Sequence, residues 1–123
     1  MAAPNLIGMT TVNGKTVGAN LTSTSSITIL NNPASSGKCL KINTLNVANM
    51  GNIVSNVGIY YNTGANLSGT TTMIASGINV PIGSTLNIID KTSQYYLEEN
   101  TSLGAIAGSG NILCVTISYE DIS

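Results

Sequence analysis

Leu113, Val115, Ile117 and Tyr119 alternate with Cys114, Thr116, Ser118 and Glu120, the period of two that a strand shows when one sheet face is buried and the other wet. A strand of that kind leaves its backbone donors and acceptors in need of neighbours, so the rest of the chain has to be strands as well. The pattern repeats upstream. Ser26 to Leu30, Cys39 to Ala48, Val57 to Tyr61, Met73 to Val80, Leu86 to Ile89, Tyr95 to Glu98, Leu103 to Ala107 and Ile112 to Tyr119 read as strands, cut by Asn, Gly, Ser and Pro about every eight to twelve residues. No segment carries a helical period of useful length. About nine short strands with this spacing predict an all-β protein, an antiparallel β-sandwich or barrel.

Two local features refine the expectation. Asn13-Gly14 suits a two-residue type I′ turn and predicts a hairpin, with Thr10 to Val12 and Lys15 to Val17 as its arms. In the longest strand, Leu40 and Ile42 share one parity while Leu45 and Val47 share the other. A bulge near Asn43-Thr44 brings both pairs to the same face.

At 123 residues the chain fits one domain with one core. We expect an extended N-terminal arm over 1–8 and a single sandwich over 9–123. Leu6, Ile7 and Met9 give the arm something to bury, which suggests contact with a partner. The core has to be aliphatic, because Phe and Trp are absent. Only 7% of residues are charged and the net charge is −1. Such a surface protects a free monomer poorly against association and suits life inside an assembly, although an AT-rich coding bias produces the same composition.

Several function classes lose their footing here. The cations are Lys15, Lys38, Lys41 and Lys91 without any basic cluster, so the electrostatic footprint of a nucleic-acid binder is missing. No apolar run predicts a membrane span or a secretory signal. Without histidine neither a Ser-His nor a Cys-His nucleophile can be assembled. Glu98 and Glu99 are adjacent, so on a strand end they point to opposite faces, the wrong geometry for two carboxylates working on one bond. The glycines at 104, 108 and 110 lack the lysine and the helix of a phosphate loop. We therefore expect no enzyme and no cofactor.

An oxygen site for calcium is conceivable at Asp90, or at Glu120 with Asp121. Cys39 and Cys114 are too few for a disulfide scaffold. They read as free thiols of a reducing cytoplasm, with a cross-strand bridge as the alternative. Asn20, Asn66 and Asn100 head sequons that a chain rich in Asn, Ser and Thr makes by chance. Tyr60-Tyr61 and Tyr95-Tyr96 each send one ring inward and one outward, which makes Tyr60 and Tyr96 candidate surface aromatics, suited to an interface or a sugar.

The opening Met-Ala-Ala-Pro-Asn-Leu-Ile, Thr11 to Thr16, Ala34 to Lys38 running into Lys41-Ile42-Asn43, Ile89-Asp90-Lys91, Tyr96 to Glu99 followed by Ser102-Leu103-Gly104, and the ending Val115 to Ser123 together resemble small virion structural proteins of marine tailed phages, the cyanophage and pelagiphage kind. The resemblance spans nearly the whole chain through short motifs. It implies a non-enzymatic β-sandwich or jelly roll made in the bacterial cytoplasm and carried on the virion. The role implied first is a capsid decoration (cement) protein, a homotrimer on the outer face of the head in contact with the major capsid protein. A neck, tail or fibre part that meets a host glycan is the alternative.

Overall fold

The computed structural model describes residues 11–90, 92 and 94–123. The expected arm, with Leu6, Ile7 and Met9, lies outside the described residues. The described chain forms nine strands: β1 (Val12–Leu21), β2 (Ile27–Asn32), β3 (Cys39–Asn49), β4 (Ser55–Asn62), β5 (Thr71–Val80), β6 (Thr85–Ile89), β7 (Tyr95–Leu97), β8 (Thr101–Ala107) and β9 (Leu113–Ile122). All pairings are antiparallel.

The first sheet has the order β1-β9-β3-β6, with β7 continuing the β6 edge along the start of β3; the second has the order β2-β8-β4-β5. The pairing is nested. The first strand lies on the last, β2 on β8, β3 on β6 and β7, and β4 on β5. One long antiparallel hairpin is thus wrapped into two facing sheets, which is the jelly roll. The expected antiparallel sandwich is present, in its jelly-roll form.

The bulge in β3 falls where the parity slip requires it, with the register against β9 shifting between Ile42 and Thr44. Leu40, Ile42, Leu45 and Val47 are consequently all in the core. They meet Val57, Ile59, Leu103, Ala105 and Ala107 of the second sheet. Each fully buried aliphatic side chain of this kind contributes roughly 1.5–3 kcal/mol. With no large aromatic ring in the middle, cohesion depends on many small interdigitating contacts.

The hairpin at Asn13-Gly14 does not form. Both residues sit inside β1, whose register with β9 runs unbroken from Val12↔Ile122 to Leu21↔Leu113 and is extended by reciprocal bonds between Thr11 and Ser123, each 2.9 Å. A turn there would forfeit part of that ladder and lift Val17 and Ala19 away from the core they pack against. The long-range ladder outweighs the local turn preference.

Candidate functional site

The charged side chains gather toward the end of the sandwich where β1 begins and β9 ends. Asp121 faces inward beyond the last core residues and is buried. Lys15 Nζ donates to its Oδ2 at 3.0 Å and Lys38 Nζ at 3.2 Å. Burial works to raise the Asp121 pKa, but the hydrogen bonds and charges of Lys15 and Lys38 outweigh it and hold the carboxyl below the usual range. The Lys15 ammonium is raised in turn, chiefly by its hydrogen bond to Asp121 and then by that carboxylate's charge. On the opposite face of the sheet Glu120 accepts from Asn43 Nδ2 at 3.0 Å and lies 3.9 Å from Lys41 Nζ. Glu120 and Asp121 therefore diverge and are each engaged by lysine, so they do not converge on a calcium ion. Among the described residues no group of three or more acidic or cysteine side chains is placed to hold a metal.

A pH dependence follows. A carboxyl whose folded pKa is depressed adds stability that is present above its unfolded value, near 3.9, and is lost as pH falls through the folded value. Urea unfolding is thus expected to show stability dropping as pH falls below about 4. Asp121→Asn should flatten that drop and weaken the protein at neutral pH. An unchanged acid limb in the variant refutes the assignment.

Buried asparagines tie the loops. Asn32 Nδ2 donates to the carbonyls of Lys38 and Leu97, both at 2.9 Å. Asn62 Oδ1 accepts from Gly64 N and Gly69 N, closing the loop that contains the 3-10 turn Ala65–Leu67. At the opposite end Asn49 ties the 50–54 loop to the end of β5, donating to Ile53 O and Val80 O and accepting from Gly51 N. An amide side chain carries a donor and an acceptor, so one residue satisfies backbone groups of both signs. Sequence reasoning took these residues for loop composition. The signal was their position, each closing a strand just before a loop.

The aromatic residues separate in an unexpected way. Tyr60 does point outward, yet it is only 5% exposed. Its ring lies against Gly104 of β8, where a Cβ would come within 2.6 Å of ring atoms. Only glycine allows that approach, and the candidate surface aromatic is covered. Tyr96 is exposed as expected, at 45%, and Tyr95 is exposed beside it. With Tyr61, Thr72, Met73 and Ile74 they line an open groove of about 310 Å³ between the β5 edge of one sheet and β7 of the other. Three phenol rings and a thioether can hold a sugar face or an apolar side chain; Lys41 is the cross-strand partner of Tyr96.

Cys39 and Cys114 are both free. Cys39 pairs with Ile122 at one end of β9 and Cys114 lies near the other end. Eight residues of strand, roughly 26 Å, separate the two levels, so they are not the cross-strand neighbours a bridge needs. Burial, and secondarily the charge of Glu98, push the Cys39 thiol up, which makes it a poor nucleophile.

No protein-family model matches the chain, and no curated protein does. Among solved structures it is similar to a chain of the T13 IBDV viral particle, with a TM-score of 0.50 and 11% identity over 90% of this chain and 31% of that one. It is also similar to a chain in the infectious bursal disease virus Gt strain, with a TM-score of 0.41 and 10% identity over 91% and 32%. This chain spans about a third of the viral chains it matches. At such identity the likeness is one of fold, and the fold shared is that of a chain in a viral particle.

Proposed function

We propose that this protein is a virion structural protein, specifically a capsid decoration protein that binds the outer face of the head as a homotrimer. The observation that carries the reading is the nested jelly roll, shared with a chain of a viral particle. It is supported by a surface of few charges and by two carboxylates, Glu120 and Asp121, that diverge and are each engaged by lysine. Decoration works by mass action. A protein that binds only the assembled lattice stabilises it by its binding free energy, multiplied over the shell.

The groove lined by Tyr61, Tyr95 and Tyr96 favours a second reading, a neck, tail or fibre part that meets a glycan of the host surface. Copy number separates the two. Virions carrying the chain are to be disrupted, heads and tails purified apart, and the protein quantified by mass spectrometry against the major capsid protein. A copy number comparable with that of the capsid protein, in the head fraction, is expected. A small number confined to tails overturns decoration in favour of the second reading.

A further inference from the structure

The end of the sandwich opposite the charged one is built from the loops 22–26, 50–54, 81–84 and 108–112. Their adjacency is fixed by bonds from Asn49 N to Ser84 O, Met50 N to Ile112 O and Asn111 N to Leu21 O. This end carries Met50, Ile53, Val54 and Ile82, each between 48% and 55% exposed. Loop tips are ordinarily polar, and four large aliphatic side chains together are not scattered singles. At half exposure they amount to roughly 400 Å² of apolar surface, within the roughly 300–600 Å² of the largest patch on a typical monomer, which is often functional.

Among the described residues, charge is absent from the same end. Lys15, Lys38, Lys41, Glu98, Glu99, Glu120 and Asp121 lie beside the far ends of β1, β3, β7 and β9. Asp90 follows Ile89, which pairs with Leu45 in the middle of β3. Among the described residues, none beyond that level toward the aliphatic end is charged. The patch is also held in shape. Asn49 fixes the 50–54 loop from within, and the Ile112 side chain fills the space over Gly51 so closely that a Cβ there would meet it at 2.5 Å.

We propose that this uncharged end, through Met50, Ile53, Val54 and Ile82, is the face that docks on an apolar, uncharged surface of the viral shell protein. The proposal rests on the virion reading above. The partner's chemistry follows from desolvation, because a charged surface pressed against this end loses water and finds no counter-charge. A second copy is the poorer occupant. A patch of roughly 400 Å² is about half of what each side of a stable interface buries. In a cyclic trimer with its axis along the strands, three such ends face the same way and present roughly three times that area to one shell. Each subunit then contributes a weak contact that the others make effective.

The test is rebinding of purified protein to heads stripped of it, followed by co-sedimentation. Ile53→Glu and Ile82→Glu place a carboxylate on the face. Ile106→Glu places one on an exposed apolar position of the outer face of the second sheet, outside the four loops. All three alter exposed side chains, and unchanged thermal melting verifies the fold. Each of the first two is expected to weaken binding about tenfold or more, equivalent to about 1.4 kcal/mol, while Ile106→Glu binds as the wild type does. Wild-type binding to stripped heads that Ile53→Glu and Ile82→Glu leave intact overturns the proposed face and spares the virion reading. Failure of the wild type to bind stripped heads overturns the proposal, and absence of the protein from both heads and tails overturns the virion reading with it. Self-association in sedimentation that Ile53→Glu abolishes, with head binding retained, assigns the end to a second copy and overturns the proposal as well.

Discussion

Replacing Ile117 by alanine is expected to cost about 2–5 kcal/mol of folding free energy, a large share of the roughly 5–15 kcal/mol that holds a domain of this kind together. Ile117 is 1% exposed. It sits on β9, between Val17 of β1 and Leu45 of β3, facing the second sheet. The void left by its lost carbons cannot close easily, because β9 is held by ladders on both sides and cannot slide inward alone. Thr116, one residue away and exposed on the outer face, is the control, and Thr116→Ala should stay within about 0.5 kcal/mol of the wild type. Urea unfolding monitored by circular dichroism measures both. Equal losses at the two positions contradict the inward and outward assignment of β9, and the sandwich with it.

That contrast also marks what local pattern can and cannot carry. The period of two in β9 and the parity slip in β3 are properties of a few consecutive residues, and both reappear in the fold, the slip as a bulge beside Asn43. Partner choice is different. β1 lies on β9 at the other end of the chain, and nothing in Asn13-Gly14 says that a distant strand will claim it. The local turn signal was real and lost to ten paired residues. Tyr60 shows the same limit. Parity placed it outward correctly, but its burial depends on Gly104 opposite, a neighbour set by topology.

The candidate surfaces were hidden for the same reason. The groove joins Tyr61 and Met73 to Tyr95 and Tyr96 from strands of different sheets. Segregation of charge is invisible in a chain where lysine and acidic residues are spread from Lys15 to Asp121. It emerges because the nested hairpin returns those positions to one end. Met50, Ile53, Val54 and Ile82 lie in loops that looked like ordinary connections, and they become a patch only when two loops meet.

Asn49→Ala is expected to cost about 2–4 kcal/mol, despite removing a polar side chain at a strand end. Asn49 is buried. Its Nδ2 donates to Ile53 O at 2.8 Å and to Val80 O at 2.9 Å, and its Oδ1 accepts from Gly51 N at 2.9 Å. Truncation strips three backbone groups of their partner, and each that stays out of water costs about 1–3 kcal/mol. The partly exposed loop lets water recover some of this, which sets the lower bound. Asn49→Asp is the sharper test, because its shape is kept while the donors are lost and a carboxylate faces two carbonyl oxygens. Such a carboxyl has its pKa raised in the folded state, so its deficit is largest at neutral pH and shrinks in acid, opposite in sign to the dependence that Asp121 imposes. Loosening the 50–54 loop also disturbs the aliphatic face without changing any side chain on it. Asn49→Ala should therefore lose both stability and shell binding, whereas Ile53→Glu loses binding alone. An Asn49→Ala protein that unfolds within about 0.5 kcal/mol of the wild type would mean that the three bonds do not hold this end of the sandwich.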